Sequence, residues 1–267
     1  MNEGSGTYLD KLLAAKRAEL ADSRGQRAAA MSDRELLELG ARLPRPKDFQ
    51  AALRGGPPAV IAEFKRASPS AGAIRDDADP RATSIAYQDA GAQAISVLTD
   101  RNFHGSFEDL RTIRQCVQLP LLCKDFILER WQIVEAKRTG ADAILLIVAA
   151  LAPPRLRQLI KFAEALEMQV LCEAHDAHEL DRAMAAGARI IGVNARDLHT
   201  FELDLDRVIE LRSQVPRSFT FVAESGVASI QDAARLRDAE VDALLVGTYL
   251  MRAEDPRATL AALIDAL

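Results

Sequence analysis

Eight short apolar runs, spaced so that one helix fits between each pair, constrain the fold more than any other feature of this chain. They are "AVIAEF" (59–64), "QAISVL" (93–98), "PLLCK" (120–124), "AILLIV" (143–148), "QVLCE" (169–173), "RIIGVN" (189–194), "FTFVAE" (219–224) and "ALLVG" (243–247). Each is continuously apolar rather than alternating, as in parallel strands covered on both faces. The segments between them have helical periodicity: in "PPRLRQLIKFAEALE" the residues Leu156, Leu159, Ile160, Ala163 and Leu166 share one stripe. A partial repeat ("AGAQAISVL", "TGADAILLIV", "AGARIIGVN") places Gly91, Gly140 and Gly187 where a helix ends in the left-handed conformation. Repeated strand–helix units of this number imply an α/β fold, a single (β/α)8 TIM barrel over 49–267 with residues 1–48 as an N-terminal helical extension. A doubly wound open sheet shares the periodicity, but no G-x-G-x-x-G follows the first run, which weakens its dinucleotide-binding version.

Composition agrees with one folded unit. Of 267 residues, 49% are hydrophobic and 27% charged, enough to bury a substantial core. No uncharged apolar run is long enough to span a membrane, and "MNEGSGTYLDKLLAAKR" lacks the apolar region of a secretory signal. A cytoplasmic protein is therefore expected. Cys116, Cys123 and Cys172 lack the spacing of a zinc site and read as buried thiols. A net charge of −5 without a basic run argues against a nucleic-acid surface, so an anion would have to be bound by local groups.

Two helices are expected before the first strand. "YLDKLLAAKRAEL" sets Leu9, Leu12, Leu13, Lys16 and Leu20 at helical spacing, and "SDRELLELGARL" opens with Ser32 and Glu35 as a capping box. They could close the bottom of the barrel or cover its mouth, and sequence alone leaves both open.

In barrels of this kind the chemistry gathers at the C-terminal ends of the strands. The first run ends with Glu63 and Lys65, whose i, i+2 spacing puts them on one face, and the third with Lys124. The fifth ends with Glu173, the sixth with Asn194 and Arg196, the seventh with Glu224, Ser225 and Gly226, and the eighth with Gly247 and Thr248. A strand end is also an ordinary place for a solvated polar residue, so no single one carries the argument. Two lysines and three carboxylates converging on one mouth are harder to explain that way. The loops "ESGV" and "VGTYLM", with Ser68 as a third wall, are small and hydroxyl-rich where barrels often bind phosphate. These residues point to an enzyme acting on a phosphorylated small molecule.

In this order "IAEFKRASPSAG", "SVLTD", "LPLLCKDFI", "CEAH", "IGVNARDL", "VAESGV" and "LLVGTYLM" resemble the indole-3-glycerol-phosphate synthase family, over nearly the whole chain. The resemblance implies closure of a pyrrole ring on 1-(2-carboxyphenylamino)-1-deoxyribulose 5-phosphate, with loss of carbon dioxide and water and no metal or organic cofactor. It implies Lys124 as the general acid at the ketone oxygen and Glu173 as an acid/base in later steps. Lys65 would anchor substrate and assist dehydration, and Glu63 and Asn194 would bind hydroxyls. Ser68, Glu224, Ser225, Gly226, Gly247 and Thr248 fall to substrate and phosphate binding, with Arg196 near the polar end. Pro69, Phe103, Phe126 and Leu198 would hold the aromatic ring. An apolar wall would lower the pKa of Lys124, whereas Glu63 and Glu173 would raise it. A monomer is expected, with weak self-association as the alternative.

Two departures stand out. The family often has a basic residue where Ala71 stands, and "TDRNFHGS" is one residue shorter than usual, which unsettles the placement of Phe103. His104 reads as a packing or surface residue, Trp131 has no assigned role, and a metal set of Glu173, His175 and His178 is disfavoured by the bend between strand and helix. Rival readings are an aldolase-like barrel with a Schiff base on Lys124 or Lys65, and a non-catalytic sugar-phosphate-binding paralogue.

Overall fold

The computed structural model describes residues 7–21, 30–68, 72–197 and 202–267. All eight apolar runs are strands, each bounded within one residue of the expected limits: β1 (Ala59–Phe64), β2 (Ala94–Leu98), β3 (Leu121–Lys124), β4 (Ala143–Ile147), β5 (Gln169–Ala174), β6 (Ile190–Asn194), β7 (Thr220–Glu224) and β8 (Ala243–Val246). They are parallel, each pairs with its sequence neighbour, and β1 also pairs with β8, Ala59 opposite Ala243. The ring is closed, which settles the choice between a barrel and an open sheet.

The helices are α1 (Tyr8–Leu20), α2 (Asp33–Ala41), α3 (Phe49–Ala52), α4 (Pro80–Asp89), α5 (Phe107–Cys116), α6 (Arg130–Arg138), α7 (Pro153–Ala165), α8 (Ala177–Ala186), α9 (Leu205–Arg212), α10 (Ile230–Asp238), α11 (Thr248–Arg252) and α12 (Pro256–Ile264). Local chemistry starts and stops them. Asp79, Ser106, Asp176, Asp204, Ser229 and Asp255 each accept a backbone N–H of the first turn they precede, and such a cap stabilises by about 1 kcal/mol. Gly91, Gly140 and Gly187 have φ of 96°, 102° and 100°. The residue after each donates back into the helix, Ala92 to Tyr87, Ala141 to Ala136 and Ala188 to Ala183, which turns the chain into the next strand.

The main core lies between barrel and helices, where Phe64, Tyr87, Leu110, Ile113, Ile133 and Phe221 are fully buried. The residues before β1 serve both ends of the barrel. Phe49 and Leu53 plug the bottom, where Gln50 donates to Thr220 at 2.9 Å and the Lys47 N–H to Asp142 at 2.7 Å. The first helix covers the mouth: Tyr8, Leu9 and Leu12 of α1 line the cavity there. Lys16 follows them on the same stripe and is buried, its Nζ 2.6 Å from Asp100 and 2.7 Å from Asp125, beyond the ends of β2 and β3. An amphipathic stripe whose fourth member is a lysine can seat only over carboxylates, and the mouth supplies two.

Candidate active site

A cavity of about 720 Å³ opens at the C-terminal end of the barrel, within the usual small-molecule range of about 300 to 1,000 Å³. Its wall includes Glu63, Lys65, Lys124, Glu173 and Asn194. Parallel strands in this register direct every second residue inward, so side chains far apart in sequence meet. Lys65 Nζ lies 2.8 Å from Glu63 Oε1, and Lys124 Nζ lies 3.5 Å from Glu63 Oε2 and 2.9 Å from Glu224 Oε2. Asn194 Nδ2 donates to Glu173 Oε1 at 3.2 Å.

The charges hold one another in place. Burial works to lower the pKa of Lys124, but Glu224, Glu63 and Glu173 outweigh it and raise the pKa above the ordinary lysine value. Of the two opposing influences on this lysine, the carboxylates win. Burial likewise works to raise Glu63, yet Lys65 and Lys124 hold its carboxyl below the usual range. Burial pushes Glu224 up to about 7, helped by Glu173 and Glu63 and opposed by Lys124. Glu173 is held down at about 2 against its burial, by His175, Lys124 and Asn194. At neutral pH the site therefore presents an ammonium at Lys124, carboxylates at Glu63 and Glu173, and a carboxyl at Glu224 poised between its two forms.

The remaining expected groups are distributed around this centre. Ser68, Ser225, Gly226, Gly247 and Thr248 line the same cavity, as do Arg196, Phe103 and Phe126. Ser225 and Gly226 both have positive φ, 64° and 86°, a conformation that costs a serine energy and is tolerated where the surrounding structure demands it. The Phe103 and Phe126 rings pack with centroids 6.3 Å apart, so the short loop still delivers Phe103 to the cavity. Pro69, Leu198 and Ala71 lie outside the described residues.

Glu224 is the clearest departure from expectation. Grouped by sequence with the substrate and phosphate contacts, it is fully buried and bonded to Lys124. Gly247 leaves room for the ion pair beside it, because a Cβ there would stand 2.3 Å from Glu63 Oε1 and 2.9 Å from Lys65 Nζ. Sequence reasoning missed the cavity-facing residues of α1, the Lys16 ion pairs and His175. The only signal for Lys16 was a charged residue on an apolar stripe. His175 lies between Glu173 and Glu179, whereas His178 is exposed on α8, so the two do not face a common point. Cys123 and Cys172 are buried, and burial pushes both thiols up to about 12; Cys116, at the end of α5, is only half-buried.

Comparison with known proteins adds an independent line. A family model described as indole-3-glycerol phosphate synthase matches residues 9–263. A protein of Mycolicibacterium vanbaalenii named indole-3-glycerol phosphate synthase is 47% identical over 264 residues, 98% of this chain and 96% of its own length. Indole-3-glycerol phosphate synthase 2 of Streptomyces coelicolor is 47% identical over 254 residues, 95% of this chain and 98% of its own. Among solved structures, a 3-hexulose-6-phosphate synthase superposes with a TM-score of 0.63 at 11% identity, covering 78% of this chain and 99% of that one. Thiamine phosphate pyrophosphorylase from Pyrococcus furiosus gives 0.60 at 17% identity, covering 82% and 97%. At such identities the two structures speak for the fold alone.

Proposed function

The chain belongs to the indole-3-glycerol phosphate synthase family, carboxy-lyases of tryptophan biosynthesis, and from that premise we propose how its residues divide the work. The substrate is 1-(2-carboxyphenylamino)-1-deoxyribulose 5-phosphate and the product indole-3-glycerol phosphate. The phosphate is held by Ser68, Ser225, Gly226, Gly247 and Thr248. The aromatic ring packs against Phe103 and Phe126, with Arg196 near its polar end. Anchoring both ends brings the ring carbon against the ketone, which removes much of the entropic barrier to closure.

Lys124 donates a proton to the ketone oxygen as the ring carbon attacks. The carbon–carbon bond forms, carbon dioxide leaves with its bonding pair returned to the ring system, and loss of the new hydroxyl as water completes the pyrrole. The observation that carries this assignment is the Lys124 ammonium on the cavity wall, paired with Glu63, which shares that wall, and with the buried Glu224 behind it. An acid flanked by two carboxylates is fully protonated at the start of each turnover and stabilises negative charge as it develops. Glu173, ionised and bonded to Asn194, accepts a proton in the later steps. Lys65, paired with Glu63, anchors the sugar hydroxyls and assists dehydration.

The aldolase-like alternative needs a lysine that is readily deprotonated, and the environment of Lys124 has the opposite effect. Supplied with the substrate, the purified protein is expected to generate indole fluorescence and release one carbon dioxide per product, with no borohydride-trapped adduct. A stable adduct on Lys124 or Lys65, without indole formation, would favour the aldolase instead. The reading further takes residues 1–267 as one barrel domain with 1–48 as its extension, acting as a cytoplasmic monomer on a small molecule and not on nucleic acid or membrane. Among the described residues no helix is long and apolar enough to cross a membrane.

A further inference from the structure

We propose that His175, itself held by Glu179, is a positioning residue that fixes the orientation and charge of Glu173. The inference rests on Glu173 serving as the acid/base of the proposed reaction, and it says how that carboxylate is prepared.

The stretch "CEAHDAHEL" carries the whole device. Glu173 is on β5, His175 follows the strand, Asp176 caps α8, and Glu179 lies in the first turn of that helix. The Glu179 N–H donates to Asp176 Oδ1 at 2.8 Å, and the His175 backbone N–H donates to Glu179 Oε2 at 2.8 Å. The helix start thus anchors Glu179 before the imidazole is considered. The same Oε2 lies 3.1 Å from His175 Nδ1, and His175 Nε2 lies 3.4 Å from Glu173 Oε1. Carboxylate, imidazole and carboxylate thus follow one another from the helix N-terminus to the cavity wall, the last contact being an ion pair at 3.4 Å with Nε2 making no hydrogen bond.

The imidazole does not line the cavity, whereas Glu173 does, so His175 acts through its neighbour. Its side chain is 12% exposed. Burial works to lower its pKa, but Glu173 and Glu179 outweigh that and raise it to about 10, so it carries a proton on each nitrogen. The other groups acting on Glu173 are Lys124 from β3 and Asn194 from β6, with Glu224 of β7 close by. Arg182 of α8 is turned away, donating to the Val148 and Leu151 carbonyls. Asn194 and His175 both approach Glu173 Oε1, which assigns Oε2 to the substrate.

Kinetics against pH, on the full chain with the natural substrate, test the proposal. With His175→Ala, kcat should fall about 10²-fold as the carboxylate loses its placement, with KM changing much less. Removal of an adjacent cation raises a carboxylate's pKa, so the acid limb of the kcat profile should move up by about 1 to 3 pH units. His175→Gln keeps a neutral donor and should restore most of kcat while leaving the limb displaced. Glu179→Gln leaves the imidazole charged at the pH of the acid limb, so it should lower kcat through lost placement without raising the limb. An acid limb unmoved in both His175→Ala and His175→Gln would overturn the proposal, and His175→Gln decides alone if His175→Ala folds poorly. Glu173→Gln separates the two levels: if it abolishes turnover while the His175 variants behave as wild type, only the positioning role fails. If Glu173→Gln itself turns over normally, the acid/base reading on which the proposal rests fails.

Discussion

Gly192 and Glu224 occupy almost the same space: a Cβ built on Gly192 of β6 would stand 2.0 Å from Glu224 Oε1 on β7. The glycine is required there for room and not for backbone freedom. Gly192→Ala must push the carboxylate away from Lys124, in a barrel interior with no slack. The expected result is a fall in kcat of about 10²-fold, with an overpacking cost of about 1 to 3 kcal/mol. Steady-state kinetics and thermal unfolding read both, and an alanine variant with native turnover would show that Glu224 placement does not matter.

Lys16 is expected to matter for substrate affinity although it lies outside the reacting centre. Its ammonium joins α1 to Asp100 and Asp125, and α1 contributes Tyr8, Leu9 and Leu12 to the cavity. Lys16→Ala leaves two buried carboxylates without their cation, a loss of about 3 to 5 kcal/mol. Thermal unfolding should shift downward, protease should cut the N-terminal segment faster, and KM should rise more than kcat falls. Unchanged stability and KM would mean that α1 is held by its leucines alone.

These two cases mark where sequence reading succeeds and where it stops. The strands were legible because a strand covered on both faces must be apolar throughout, and the helix ends because Gly91, Gly140 and Gly187 answer a local demand for positive φ. Strand-end chemistry was legible too, since topology alone brings Glu63, Lys124, Glu173 and Asn194 to one mouth. The pairing of Lys124 with Glu224 was not, because it joins residues 100 positions apart through the register of the closed ring. His175 was passed over for a related reason. Its partners lie on a strand and a helix that meet at a bend, and only the bend's geometry shows that it faces Glu173 while His178 does not.

The His175–Glu173 pair should leave its mark on stability. His175 is raised from 6.5 to about 10, so its contribution is complete below pH 6.5 and fades as pH rises through about 10. Glu173 is lowered from 4.5 to about 2, so its contribution is complete above pH 4.5 and fades as pH falls through about 2. The two describe one interaction, which is therefore strongest between pH 4.5 and 6.5. Each unit of pKa difference is worth about 1.4 kcal/mol, or roughly 3 to 6 °C in a chain of this size. Unfolding midpoints should decline for the native chain above pH 6.5, and His175→Gln should flatten that decline. Parallel curves for the two proteins would mean that the imidazole is not charged in the folded state.

The central claim is that the ammonium of Lys124 is the acid at the ketone oxygen. The most direct measurement is the rate of indole fluorescence growth from 1-(2-carboxyphenylamino)-1-deoxyribulose 5-phosphate in Lys124→Ala, beside the native enzyme and with folding verified by circular dichroism. Loss of a positioned acid should slow the reaction by about 10² to 10⁴, with substrate still bound through its phosphate. A folded Lys124→Ala protein that forms indole at near-native rate would contradict the account.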